Sequence, residues 1–189
     1  MDPRTDLVRH YRWLRRFGLN DSHSGNASVR DGGRLWITPT GACADTLEPA
    51  DLVGGTLEAG FGDGASLDAP LHLAVYRANP QAAAVLHSHG PHTVAVTFDG
   101  EDFLPPDFEG QYYFGTIPVL RIAYERYLAE SPPQVAAALV EHPVTVVRGH
   151  GVYAWGPSVN LAYKWTSSLE LSARTALLAM QAGTLKRPD

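Results

Sequence analysis

The sequence is poor in several features that define particular classes of protein. Its single cysteine, Cys43, allows no internal disulfide and fits a reducing compartment. No apolar run approaches the roughly 20 residues that a helix needs to cross a bilayer. Lys and Arg number 15 against 20 acidic residues, a net charge of -5, so no basic surface is available for nucleic acid or anionic lipid. We therefore expect a cytoplasmic protein without nucleic-acid or membrane partners.

What is present indicates a globular protein. The chain has 189 residues, of which 44% are hydrophobic and 19% charged, proportions that argue against disorder. The length predicts one domain over residues 1–189, since no repeat, low-complexity tract or linker interrupts the sequence. It contains neither a Gly-rich dinucleotide fingerprint nor a P-loop, so nucleotide binding of those kinds is excluded.

Local patterns predict interspersed helices and strands. Asp2 and Pro3 are a good start for a helix that ends near Gly18, and Asp31-Gly32-Gly33 predicts a hairpin turn. Other predicted strands are Ala83–His89, Thr116–Ile122, Val144–Val147 and Val152–Trp155. The other predicted helices start at Ser66 or Asp68, at Pro91, at Gln134 (after a cap at Ser131) and after Ser158. The glycine-rich stretch Gly54–Ala65 and the stretch Asp99–Gly110 are predicted to be loops. Hairpins within this mixture predict an α/β (α+β) fold, a single α/β/α domain around a central, mainly antiparallel sheet.

Two histidines at the end of a predicted strand suggest a metal site. His87 and His89 are two residues apart, so their side chains share one face of the strand, with Cα atoms about 6.6 Å apart. His150 is the best third ligand, because Gly149 and Gly151 permit a tight turn beside a bulky centre. Three imidazoles without a thiolate leave an open coordination position, as in catalytic sites. The alternative is a hydrogen-bonded or partly exposed pair and an ordinary Gly-His-Gly turn.

The other histidines have less specific surroundings. His72 lies four residues after Asp68 on one helix face, which allows a carboxylate–imidazole contact. His92 is either a helix-start residue or a neighbour of the metal ligands. The remaining histidines are expected on loops or surfaces: His10, His23 and His142.

Three short segments have the small residues, hydroxyls and backbone N–H groups that bind anions. Asn26 lies in a Ser/Gly/Asn segment before a strand, Thr40-Gly41 follows a strand, and Ser66 precedes a helix. No Lys or Arg is fixed beside them by the sequence, so a phosphate would be held mainly by neutral donors. Each segment alone is also compatible with an ordinary turn.

In this order, the motifs resemble the class II aldolase/adducin family. The segments that carry the resemblance are Gly25-Asn26-Ala27-Ser28, Ile37–Gly41, Asp51-Leu52-Val53, Ser66-Leu67-Asp68, His72, His87-Ser88-His89 and Gly149-His150-Gly151-Val152. The resemblance extends from about Leu7 to Leu178. It implies a central antiparallel sheet in an α/β/α arrangement and a homotetramer with active sites at subunit interfaces.

The resemblance also implies roles for individual residues. It implies Zn²⁺, with Mn²⁺ or Co²⁺ as alternatives, held by His87, His89 and His150. The catalytic carboxylate would be Asp68, one methylene shorter than the family's glutamate. The implied phosphate-binding residues are Asn26, Thr40, Gly41 and Ser66, and Leu67 stands where a second such serine is typical.

The resemblance also implies a tyrosine that acts as an acid and donates a proton to the oxygen of the departing aldehyde. Tyr124 is the candidate, because Thr116–Tyr124 resembles the family's strand-and-tyrosine segment. Tyr112 and Tyr113 are alternatives, and Tyr124 is equally compatible with a half-buried aromatic side chain after a strand.

The implied activity is that of a zinc-dependent aldehyde-lyase. Its substrate would be a small sugar phosphate or related hydroxy-carbonyl compound, cleaved through a metal-stabilised enediolate. The alternatives are a dehydratase, epimerase or decarboxylase that uses the same intermediate, and a non-catalytic, adducin-like binding domain.

Overall fold

The computed structural model describes residues 2–185, which form one sheet flanked by helices. The strands are β1 (Asn26–Asp31), β2 (Arg34–Ile37), β3 (Val53–Thr56), β4 (Gly60–Phe61), β5 (Ala84–Ser88), β6 (Val119–Leu120), β7 (Val144–Val147) and β8 (Gly151–Gly156). The helices are α1 (Pro3–Arg16), α2 (Ala69–Ala78), α3 (Pro91–Val96), α4 (Phe108–Phe114), α5 (Tyr127–Glu141) and α6 (Val159–Gln181). Short 3₁₀ turns occupy Pro49–Asp51 and Tyr124–Arg126.

The sheet has the strand order β4-β3-β2-β1-β5-β8-β7-β6. Every neighbouring pair is antiparallel except β6 and β7, which are parallel. The predicted fold class, a mainly antiparallel sheet covered by helices, is confirmed. In residues 2–185, no helix is both long and apolar enough to cross a membrane.

Side-chain alternation along the central strands determines which residues face which helices. On β5, Ala84 and Leu86 pack in the cluster formed with α1 and α6, whereas Val85 packs with α2 and α5. Because successive strand side chains point to opposite faces, His87 lies on the same face as Val85. On β8, Tyr153 also packs on the α2/α5 face. His87, near the end of β5, therefore points toward the starts of α2 and α5.

Helix α1 forms as its sequence predicts. The Asp2 carboxylate caps the helix by accepting a hydrogen bond from the Arg4 backbone N–H at 2.9 Å. Leu7, Tyr11 and Leu14 recur on one face and are buried against the sheet. The backbone turns at Gly18, with a φ of 75°.

The predicted start of α5 is wrong. The helix begins at Tyr127 rather than after Ser131, so Pro132 and Pro133 lie inside it. Each proline removes a backbone donor, but the carbonyls left without a partner belong to Leu128 and Ala129, which are exposed and can bond water. Burial of the helix against α2 and the sheet outweighs the cost, which local propensity could not indicate.

Other strand and helix boundaries differ from the sequence prediction where the segment contacts a distant part of the chain. The glycine-rich stretch predicted as a loop contains β4 and all of β3 except Val53, and these two strands extend the sheet beyond β2. Gly55 is required there, because an added Cβ would lie 2.4 Å from the Gly60 carbonyl oxygen. Helix α4 begins within the second predicted loop, capped by the Asp107 carboxylate. The predicted strand Thr116–Ile122 shortens to the two residues of β6.

Candidate active site

Three imidazoles from two parts of the chain meet on the α2/α5 face of the sheet. His87 is in β5, His89 follows it, and His150 lies in the turn between β7 and β8. The Nε2 atom of His87 is 2.8 Å from that of His89 and 3.3 Å from that of His150. The potential ligand atoms all lie within 4.8 Å of one another. The structure thus brings together the three histidines that the sequence analysis singled out.

Two glycines make room for this convergence. Gly149 has a φ of 67°, in the left-handed region that glycine adopts without strain. A Cβ on Gly151 would lie 2.2 Å from the Ser88 carbonyl oxygen and 2.7 Å from the His89 ring. Any other residue at position 151 would therefore displace the imidazoles.

The protonation of the histidines suits a divalent cation. The Nδ1 atom of His87 is 3.0 Å from the Val152 carbonyl oxygen, so Nδ1–H donates a hydrogen bond to it and the lone pair of Nε2 is available to a metal. Burial lowers the pKa of His87 well below its usual range, and it lowers the pKa of His89 to about 4. Burial also lowers the pKa of His150. The three rings are therefore neutral near pH 7, the form that binds metal, and the cluster fits a cation of the zinc type.

A buried carboxylate lies beside the histidines. Asp68 is 7% exposed, and its Oδ2 is 3.9 Å from His87 Nε2. Its oxygens accept hydrogen bonds of 2.9 Å from the Asn26 amide and from the Tyr127 and Tyr153 hydroxyls. Burial alone raises the pKa of Asp68, but the adjacent His87 and the hydrogen bonds from Asn26 and Tyr127 outweigh it and lower the pKa. Asp68 is therefore ionised at neutral pH.

The two tyrosines were missed by the sequence analysis. Tyr153 pairs with His87 across β8 and β5, and their rings stack at 4.1 Å with a 2° angle between planes. The Tyr127 ring meets the His150 ring edge-on at 4.7 Å. Burial and the Asp68 charge raise the pKa of both phenols, which stay protonated and donate. The alternation of β8 was a usable signal for Tyr153, whereas Tyr127 depended on the early start of α5.

The predicted anion-binding residues line one cavity with the histidines and Asp68. Its volume is about 550 Å³, and its wall includes Asn26, Thr40, Gly41 and Ser66. Asn26 uses its amide N–H on Asp68, and its carbonyl oxygen is buried without a hydrogen-bond partner. Among the residues of 2–185 that line this cavity, none is Lys or Arg. The groups that these lining residues offer to an anion are therefore neutral donors.

Tyr124 lies at the rim of this cavity. It is 91% exposed, so the half-buried alternative is wrong. Tyr112 and Tyr113 are on α4, where Tyr112 is exposed and Tyr113 packs against Trp165 of α6.

Three of the other histidines have structural partners. The Nδ1 atom of His72 is 2.7 Å from the Ser28 hydroxyl rather than bonded to Asp68. His92 lies in the first turn of α3 and pairs with Glu170 at 2.6 Å. The surface prediction for His10 is wrong: the residue is fully buried, with Nδ1 on the Asp6 carbonyl oxygen at 2.8 Å.

Comparison with known proteins identifies the family. Residues 5–177 match the family model described as Class II Aldolase and Adducin N-terminal domain. The chain belongs to this family, whose fold and motif order it shares.

Individual relatives carry different activities. A methylthioribulose-1-phosphate dehydratase of Gluconacetobacter diazotrophicus is 32% identical over 182 residues, 87% of this chain and 87% of that protein. A 3-oxo-tetronate 4-phosphate decarboxylase of Cupriavidus necator is 36% identical over 180 residues, 90% of this chain and 76% of that protein. The solved structure of L-fuculose-1-phosphate aldolase from Thermus thermophilus superposes with a TM-score of 0.89 at 31% identity, covering all of both chains.

Proposed function

We propose that this protein is a metal-dependent aldolase that cleaves a small sugar phosphate or related hydroxy-carbonyl compound. The observation that carries the proposal is the convergence of three neutral imidazoles beside an ionised carboxylate in one cavity. A scaffold domain has no need of such a cluster, which argues against the non-catalytic alternative.

His87, His89 and His150 would hold the cation, with zinc favoured by imidazole ligands and manganese or cobalt as alternatives. When bound, it would supply Lewis-acid stabilisation of the negative charge that develops beside a substrate carbonyl. Asp68, ionised and facing the same cavity, would accept and return the substrate proton.

Asn26, Thr40, Gly41 and Ser66 would bind the anionic end of the substrate through neutral donors. Tyr124, at the cavity rim, would serve as the acid at the aldehyde oxygen. Tyr124→Phe should then lower kcat without changing zinc affinity, measured by competition with a chromophoric chelator. An unchanged kcat would remove Tyr124 from the mechanism.

Other reactions on the same site are the main competitors. The dehydratase and decarboxylase relatives show that chains with this fold and similar sequence carry out different chemistry. The deciding experiment incubates zinc-loaded protein with L-fuculose 1-phosphate, methylthioribulose 1-phosphate, L-ribulose 5-phosphate and 3-oxo-tetronate 4-phosphate. Product analysis by mass spectrometry distinguishes cleavage, water loss and decarboxylation, and NMR spectroscopy detects epimerisation, which leaves the mass unchanged.

For the aldolase proposal, we expect dihydroxyacetone phosphate from a ketose 1-phosphate, and its loss after chelation. Turnover confined to another reaction would replace the aldolase with that activity. Zinc content well under one ion per chain, with no turnover on the panel, would favour a binding domain instead.

We also propose that the chain forms a cytoplasmic homotetramer and folds as one domain over residues 1–189. Light scattering tests the assembly. A single unfolding transition, seen by two spectroscopic probes, tests the domain assignment.

A further inference from the structure

The Asp68 side chain does not cap helix α2, although its position at the start of that helix favours capping. Asp68 is the N-cap residue of α2, where an aspartate oxygen ordinarily accepts a hydrogen bond from the backbone of the first turn. Here the side chain makes no such bond. It turns into the cavity and meets donors from β1, α5 and β8 instead.

Two of those donors connect the carboxylate to the histidine cluster. Tyr153 stacks on His87 while its hydroxyl donates to Asp68 Oδ2. Tyr127 bonds Asp68 Oδ1 and places its ring edge against His150. The two phenol hydroxyls also contact each other. Each oxygen of the carboxylate is thereby tied to a ring that packs on a histidine.

We propose that Tyr127 and Tyr153 are positioning residues that clamp the Asp68 carboxylate in one orientation beside the histidine cluster. This inference rests on the proposed function, in which Asp68 moves the substrate proton. A carboxylate at a helix start can rotate about two side-chain bonds and can return to its own backbone. Donors on both oxygens hold it toward the cavity, and a misplacement of about 1 Å at a reacting group can cost about 100-fold in rate.

The clamp leaves little room for a longer side chain. A glutamate at position 68 would extend its carboxylate by about 1.5 Å, one carbon–carbon bond. With phenol oxygens already at 2.9 Å, that extension would bring the groups into collision. Removing the Tyr127 hydroxyl would relieve part of the conflict.

The first test uses Tyr127→Phe and Tyr153→Phe, each of which removes one oxygen and keeps the ring. Tyr76→Phe is the matched control, because Tyr76 is a buried tyrosine whose hydroxyl bonds Ser28. With the panel substrate that shows the highest turnover, we expect kcat to fall about 10- to 100-fold in both variants with KM nearly unchanged. Unchanged kcat in a folded Tyr127→Phe protein would overturn the clamp.

The second test is rescue. Asp68→Glu should lower kcat in the wild-type background, and adding Tyr127→Phe should restore part of it. The kcat of the double variant should therefore be at least about tenfold higher than the value obtained by multiplying the two single-variant effects. If the kcat of the double variant equals the value expected from multiplying the two single effects, the proposal is contradicted.

The third test needs no turnover. In zinc-free protein, urea unfolding is measured for Tyr127→Phe, Asp68→Ala and the double variant. The loss of stability caused by Tyr127→Phe should be at least about twofold smaller when Asp68 is absent. Equal losses in both backgrounds would overturn the clamp even if the enzyme proposal stands. Clear coupling without turnover on the panel would instead defeat the proposed function alone.

Tyr153 is fully buried, so if its variant does not fold, Tyr127→Phe decides the outcome.

Discussion

Two carboxylates lie near the histidine pair, one buried and one partly buried, and they are held in different ways. Within residues 2–185, the donors to the Asp68 carboxylate are side chains, and this carboxylate lines the cavity. Glu170 of α6 accepts backbone N–H bonds from His92 and Thr93 at 3.1 and 3.0 Å, and it also bonds both side chains. Its side chain is 14% exposed. Glu170, which bonds backbone N–H groups, holds the conformation of the main chain. Asp68, which bonds side chains at a cavity, is available to a substrate.

The loop that Glu170 holds follows directly from His89. An added Cβ on Gly90 would lie 2.4 Å from the Glu170 carboxylate, so the loop is packed tightly against it. The His89 backbone N–H is also fixed, by the Asn20 side-chain oxygen at 2.9 Å. We therefore expect Glu170 to act on metal affinity and Asp68 to act on the reaction.

The largest expected effect is that of Asp68→Asn, which keeps the shape of the side chain and removes its basicity. We predict a fall in kcat of about 100- to 10,000-fold, the usual contribution of a positioned proton acceptor. Zinc affinity, measured by chelator competition, should change much less than kcat. If zinc affinity fell and the kcat of fully loaded enzyme did not, the assignment of Asp68 to chemistry would be wrong.

His72 provides a second contrast on the same face of the sheet. It is fully buried one turn after Asp68, and burial lowers its pKa to about 4 despite the opposing effect of Asp68. The folded state thus binds its proton more weakly than the unfolded state, where the pKa is near 6.5. The stability that His72 contributes is complete above pH 6.5 and is lost as the pH falls toward 4.

For His72, that loss amounts to about 3 kcal/mol in the free energy of unfolding. Urea unfolding of zinc-free wild type and His72→Gln at pH 7.5 and pH 4 measures it. The wild type should lose more stability between the two pH values, and the difference isolates His72, since the other histidines are common to both proteins. Identical losses would show that His72 takes up no proton in this range.

Glu170→Gln should have the smallest of these effects on the reaction. The amide keeps the size of the side chain but loses the charge that accepts four hydrogen bonds. We predict weaker zinc binding, by about 10- to 100-fold, as is usual for groups that orient metal ligands. The kcat measured with saturating zinc should stay close to that of wild type. Glu130→Gln on α5 is the control, because the partners of that carboxylate are the nearby Arg126 and Gln134.

The parts of the site that could be predicted from the sequence depend on local geometry. His87 and His89 follow from strand alternation, and the two glycines around His150 indicate a turn. Tyr153 and Tyr127 reach Asp68 only through the pairing of β5 with β8 and the packing of α5 on α2. Those are contacts between distant segments, which local patterns do not specify.

The same limit explains the errors in the fold. The prolines near Ser131 favour a helix start there, yet burial of Val135 and Leu139 in the α2/α5 core supports a longer helix. The glycines of β3 and β4 suggest a loop until the neighbouring strand edge is known. In both places, non-local burial or pairing outweighs the preference of the local sequence.

The proposed roles of Asp68, Glu170 and the tyrosines all depend on three histidines that bind one cation together. The most direct measurement is elemental analysis with zinc titration of wild type and His150→Ala, with His142→Ala as control. We predict one ion per chain for wild type and the control, and an affinity at least about 100-fold weaker for His150→Ala. Equal zinc binding by wild type and His150→Ala would contradict the central claim.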